Sequence, residues 1–200
     1  MLNLVIIGRK LINIDQQLAN CIRILSAEAI EEAQSGHPGM VLGLADVMTV
    51  LFREYLHHSP EHPDWGNRDR VVLSNGHGSM LLYSALYLSG YQWDIEDIKR
   101  FRQLGSHAAG HPEYDIRRGV EVTTGPLGQG LANAVGMAVA RHRLASIYGQ
   151  ESYNYRTFCF VGDGCLMEGI NHEASALAPT LIPSGLIVLW DDNGISIDGQ

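Results

Sequence analysis

The chain has 200 residues, 46% of them hydrophobic, enough to bury one sizeable core, so a single globular domain is the expectation. Its 14 basic and 22 acidic side chains give a formal charge of −8, which argues against nucleic acid or an anionic membrane as the main partner. No stretch is long enough to cross a bilayer, and no basic segment precedes the short apolar run at the N-terminus, so neither a membrane span nor a signal peptide is expected. Cys21, Cys159 and Cys165 are odd in number and lack CxxC spacing, which suits a reducing, cytoplasmic setting.

Residues 1–14 read as an N-terminal extension, and residues 15–200 as the domain itself. Leu18, Ile22, Leu25, Ala29 and Ala33 recur at helical spacing, predicting an amphipathic helix from Asp15 to Gln34. Gly36 is placed to end it, and Pro38 blocks its continuation. Residues 40–56 are apolar on nearly every side, as in a buried helix. The stretch HHSPEHPDWGNRD that follows is a loop by its prolines, Gly66 and polar density, and His57, His58 and His62 are expected to be solvated there.

Residues 71–73, 158–161 and 186–190 are continuous apolar runs, as in strands of a parallel sheet covered on both faces. Helical patterns separate them at 78–89, 94–103, 127–148 and 166–178. Asp94 and Asp97 are spaced as a capping box. Ala132, Ala134, Gly136, Ala138 and Ala140 suggest close packing against a neighbouring element, and Leu166, Ile170 and Leu177 read as core positions. The interleaving predicts an α/β domain with a mostly parallel sheet and helices on both faces.

All three runs end in polar, glycine-bearing segments: 74–78, 162–164 and 191–194. Ligands of open parallel sheets bind beyond the carboxyl ends of the strands, so one rim is the expected site. A lone Gly-Asp-Gly reads as a tight turn with a solvated Asp. Asn193, however, follows Asp163 by 30 positions, one crossover away and beyond a second buried strand. A carboxylate, an amide oxygen and a nearby carbonyl form a hard-oxygen set suited to Mg²⁺ or Ca²⁺, with a diphosphate as the expected companion of Mg²⁺. Gly162 and Gly164 allow close backbone approach, and the following helix offers N–H groups to anionic oxygens. His77, between Gly76 and Gly78, is a further donor.

SGHPG (35–39), LSNGHGSML (73–81), GHPE (110–113), TTGPLGQG (123–130), the Gly-Asp-Gly and DDNGISIDG (191–199) stand in the order in which transketolases carry them, and from Asp15 to Gln200 the chain resembles that family. The resemblance implies a thiamin diphosphate-binding fold and transfer of a two-carbon ketol unit from a ketose phosphate to an aldose phosphate, as in the pentose phosphate pathway. Asp163, Asn193 and the carbonyl of Ile195 match Mg²⁺ ligands; His77, Gly164 and Asn193 match diphosphate contacts. Gly125, Pro126 and Leu127 match the strip beside the cofactor rings. His37 and His111 match catalytic histidines that bind sugar hydroxyls and move protons, a task suited to groups that titrate near neutrality. Glu168 and Glu173 match glutamates at the interface of a homodimer.

Some positions depart from the family pattern. Met40-Val41-Leu42 stand where Ala-Pro-Met is usual, and Ala108-Ala109 where Thr-Pro is usual. A family subunit is also about three times as long, with a second domain that supplies the carboxylate activating the aminopyrimidine. The resemblance therefore implies that this chain turns over only with a partner carrying that pyrimidine-binding domain. Other readings are another thiamin transferase, such as dihydroxyacetone synthase or 1-deoxyxylulose-5-phosphate synthase, a non-catalytic remnant that pairs with an intact subunit, and a histidine-rich zinc hydrolase.

Overall fold

The computed structural model describes residues 13–182, 184–196 and 199; the extension expected at the N-terminus falls, through residue 12, outside them. Helix α1 spans Ile14–Ala33, and the Asn13 side chain accepts from Asp15 N at its start. It ends earlier than Gly36. Gln34 takes the left-handed conformation, its N–H donates to Glu31 O, and Ser35 N donates to Ile30 O. That double closure satisfies two carbonyls of the last turn, and it uses a residue other than glycine.

Helix α2, Pro38–Val50, opens with proline at its first position, where no N–H is needed. It runs on as a π turn over Leu51–Tyr55, closed by Leu56 N donating to Leu51 O. The expectation of burial all round is corrected here. Met40, Val41, Ala45, Met48, Leu51 and Phe52 are buried, whereas Leu42, Val47 and Val50 face outward because α1 and the helix at Ser79–Leu88 cover only one side.

The strands are β1 (Arg70–Leu73), β2 (Thr157–Gly162) and β3 (Leu186–Asp191), all parallel and ordered β1-β2-β3. Val71 stands opposite Phe158, and Phe158 opposite Ile187. Side chains alternate across the sheet. Val71, Leu73, Phe158, Phe160, Ile187 and Leu189 join the core built with α1, α2 and α3 (Ser79–Leu88). Val72, Cys159 and Val161 face the other way, onto Leu131 and Ala134 of α5 (Gln129–Tyr148). Helices therefore flank both faces, but β3 is less covered than its composition suggests. Val188 and Trp190 are 45% and 54% exposed, because α5 lies over β1 and β2.

Helix α4 is Ile95–Lys99, with the Asp94–Asp97 capping box formed at both bonds. It stops short of residue 103: Arg102 is left-handed, and its N–H donates to Ala108 O, turning the chain toward the site. The pattern over 166–178 resolves into α6 (Asp163–Leu166) and α7 (Gly169–Leu181), broken at the extended Glu168. The buried face of α7 carries Asn171 and Ala174; Ile170 and Leu177 lie outward at 45% and 55% exposure, not in the core. Ala134 and Ala138 pack inward as expected, while Gly136 and Ala140 line an open groove with Ile170. Among the described residues no helix is long and apolar enough to cross a membrane.

The opposite rim is tied down by charge. Buried Asp69 accepts from His57 N (2.9 Å), Arg156 N (2.6 Å) and the Arg156 guanidinium (2.7 and 3.1 Å), and Arg68 pairs with Glu121. His58 is not solvated: it stacks on Tyr91 at 5.7 Å and meets Phe52 edge-on, and burial lowers its pKa.

Gly130 sets the spacing between α5 and the end of β1. A Cβ there would stand 2.9 Å from Ser74 N and closer still to its Cα, while Leu131 N already donates to Ser74 Oγ at 3.2 Å. Gly130→Ala is expected to destabilise the chain by about 1–3 kcal/mol through overpacking against backbone. Urea denaturation measures it, and an unchanged midpoint would refute this placement of α5.

Candidate functional site

The three strand ends converge on one rim. Asp163 follows β2, and its carboxylate accepts from two groups of the next strand end: the Trp190 indole N–H at 2.9 Å and Gly194 N at 3.1 Å. The loop after β3 is thus folded back over the end of β2. Asn193 caps its own turn, Oδ1 accepting from Ile195 N at 3.1 Å, and its amide donates to Asp191 at 3.4 Å. The Asp191 carboxyl is pushed up by burial and by neighbouring Asp163, with the Asn193 bond opposing. The contact with Gly194 brings the loop that carries Asn193 to Asp163, as the spacing of Asp163 and Asn193 predicts.

This donor set fits a hard divalent cation. Each carboxylate oxygen of Asp163 accepts one hydrogen bond and keeps a second lone pair, and Asn193 and Ile195, which carry amide and carbonyl oxygens, flank the Gly194 whose N–H donates to it. Among the described residues no group of three His, Cys, Asp or Glu side chains could hold a metal, so the zinc hydrolase reading finds no ligand cluster there.

The strip after Thr124 borders the same crevice. A Cβ on Gly164 would meet Leu127 at 3.0 Å, and one on Gly125 would lie 3.4 Å from the His111 ring. Gly125 and Leu127 are partly buried, and Pro126 is exposed between them. Gly128 is left-handed (φ 82°) and opens α5; Glu168 packs against it, where a Cβ would come within 2.8 Å. Glu168 and Glu173 are both exposed, Glu168 at the start of α7 and Glu173 one turn on.

The three histidines singled out from motifs come together. The rings of His37 and His77 meet edge to face at 5.2 Å. Desolvation lowers the pKa of each of the three. Arg102 adds to this at His37 and His111, and the two other histidines add to it at His77. The shift at all three is toward the neutral ring. His107, His142 and His172, which belong to no motif, are exposed.

Four residues of the crevice escape motif reasoning. Trp190 looked like a strand residue and donates to Asp163. Arg102 is one arginine in a helical pattern, yet its fold brings it beside His37 and His111. Asn75 and Thr124 lie inside recognised stretches, and both are buried with polar atoms that find no partner among the described residues.

The sequence profile described as "Transketolase, thiamine diphosphate binding domain" matches residues 14–200. The chain belongs to the transketolase family. It is similar to a transketolase of Buchnera aphidicola, 59% identical over 92% of this chain and 28% of the relative. Among solved structures it is similar to the transketolase of Campylobacter jejuni, with 49% identity and a TM-score of 0.90 over 95% of this chain and 30% of that one. It is also similar to a Pichia stipitis transketolase solved in complex with sedoheptulose-7-phosphate, with 50% identity and a TM-score of 0.88 over 92% of this chain and 28% of that one. The chain thus spans less than a third of the length of the transketolases it matches.

Titration of the histidine ring signals by NMR is expected to give midpoints below 6.5 for His37, His77 and His111. Arg102→Gln should raise those of His37 and His111. The sign for folding follows: the unfolded chain binds more protons below 6.5, so their contribution to stability is full above that pH and declines as pH falls through it. Midpoints at or above 6.5 would contradict the assigned desolvation.

Proposed function

We propose that this chain supplies the diphosphate- and metal-anchoring part of a transketolase. The observation that supports the reading is the Asp163 carboxylate bonded to Gly194 N at 3.1 Å, with Asn193 and Ile195 on either side of that glycine. In this reading Asp163, Asn193 and the Ile195 carbonyl hold Mg²⁺, for which Ca²⁺ can substitute, and the ion draws in the diphosphate of thiamin diphosphate. His77, the Gly164 N–H and the Asn193 amide donate to the diphosphate oxygens. Gly125, Pro126 and Leu127 flank the rings. When bound, thiamin diphosphate supplies the electron sink that breaking a ketose carbon–carbon bond requires.

The chain's own residues do the rest of the work on this side of the site. His37 and His111, neutral and near Arg102, orient sugar hydroxyls and take up or return a hydroxyl proton. Leu127, packed over Gly164, keeps the strip against the metal turn. The substrate class is a sugar phosphate: a ketose phosphate donates a two-carbon unit to an aldose phosphate, and the crystallised Pichia stipitis relative held such a ketose. Glu168 and Glu173, with the outward-facing Ile170, Leu177 and Leu181 of α7, form the surface for a second subunit or for a chain carrying the pyrimidine-binding domain. A partner surface of this kind favours an assembly in which the site is shared.

Calorimetry tests the reading. The chain is expected to bind thiamin diphosphate with Mg²⁺ and to lose about tenfold or more in affinity in Asp163→Ala or when the metal is chelated. No ketol transfer is expected without the pyrimidine-binding portion. Metal-independent binding, or an Asp163→Ala variant that binds as the parent does, would overturn the assignment.

A further inference from the structure

We propose that the carboxamide of Asn75 is an additional anion-binding group of this crevice, kept unpaired inside the fold so that it can donate to the diphosphate. The proposal rests on the diphosphate reading of the site and goes beyond the residues that reading assigns. Asn75 immediately follows β1 and is 1% exposed, yet neither Nδ2 nor Oδ1 has a hydrogen-bond partner among the described residues. Its carbonyl accepts from Gly78 N at 3.1 Å in the turn. The amide nitrogen stands over the end of β2: a Cβ on Gly162, the residue before Asp163, would lie 3.7 Å from Nδ2.

A second group, on the strip that packs against this turn, is open as well. Thr124 Oγ1 is buried without a partner among the described residues, 2.8 Å from where a Cβ on Gly76 would stand. The two orphaned groups flank Gly76, directly before His77. Elsewhere Arg102, Arg141, Thr157 and Asn171 each leave one buried polar atom without a partner among the described residues, whereas Asn75 leaves both of its own. Leaving a carboxamide unpaired in such a setting is destabilising, and the loss is recovered only if something polar enters the crevice. An N–H donor one strand away from the metal turn suits an anionic oxygen, toward which a hydrogen bond is shorter and stronger than to a neutral acceptor.

Structural and ligand-binding asparagines respond in opposite ways to truncation. Asn75→Ala and Asn75→Asp, made in the full chain, are compared with the parent by calorimetry with Mg²⁺-pyrophosphate and Mg²⁺-thiamin diphosphate, and by thermal unfolding without ligand. In Asn75→Ala the affinity for both ligands is expected to fall about tenfold, and in Asn75→Asp further, because a carboxylate would face the anion. The ligand-free melting temperature of Asn75→Ala should hold or rise, since an unpaired group has been removed. Affinities within about threefold of the parent overturn the proposal. So does a ligand-free melting temperature lowered by more than about 5 °C, which marks a group that the fold itself pairs. A parent chain that binds neither ligand overturns the diphosphate reading and this inference together; a parent that binds while Asn75→Ala binds equally overturns this inference alone.

Discussion

The carboxylate of Asp163 accepts from the Trp190 indole and from Gly194 N, and these two bonds fix the shape of the carboxyl rim. In the ladder Gly162 stands opposite Asp191, so β2 and β3 end side by side. Parallel strands alone would let the loop after β3 leave in any direction. The two bonds to Asp163, each worth roughly 1.5–3 kcal/mol as bonds to a charged acceptor, hold it back over β2. Everything assigned to the metal depends on that return, because Asn193 and Ile195 sit on the same loop. The carboxylate is thus a structural acceptor and, with its remaining lone pairs, a ligand to the proposed ion.

The two rims of the sheet solve opposite problems. At the amino end, charges are buried and paired: Asp69 with Arg156, and Arg68 with Glu121, whose carboxyl is pushed up by burial and held down by the arginines. Such pairs add little net stability, but removing one partner is severe, so they fix the geometry of the loop from His57 to Asp69. At the carboxyl end the groups are left incomplete. The histidine pKa values are lowered, Asn75 and Thr124 have side-chain atoms without a partner among the described residues, and Gly125 and Gly164 leave room for a neighbour. A rigid base beneath an unsatisfied rim is what a binding site needs, since the groups are positioned before the ligand arrives.

How much of this was legible in the sequence depends on which interactions are local. Continuous apolar runs gave the three strands, and the Asp94–Asp97 pair gave a helix start, because neighbours along the chain decide both. The rim could be inferred, since polar residues after buried parallel strands have one place to go. Which helical face is covered was not legible. Leu42, Ile170 and Leu177 have the composition of core residues, yet they face outward because their neighbours in space cover the other side. Gln34 took the turn that Gly36 seemed made for, since the Schellman closure depends on where the last bond forms. His58 lies in a polar loop, and only the fold brings Phe52 and Tyr91 around it. Asn75 was visible within a recognised stretch, but its missing partners are a fact of three dimensions.

Trp190 links the metal turn to the least covered part of the sheet. Its indole N–H serves Asp163 while its residue is half exposed, on the same face as Val188 and beyond the reach of α5. An exposed donor competes with water for its acceptor, so this bond contributes less as it stands than it would beneath a covering element. Covering the ring would bury apolar area and lower the local dielectric around Asp163 together, strengthening both the indole bond and the attraction for a cation. Coverage of β3 and the grip of the metal turn are therefore coupled through one side chain. In the proposed site the coupling would run both ways: a cation held at Asp163 would order the loop that carries Asn193, and an ordered loop would present a defined edge to an element packed over Val188 and Trp190.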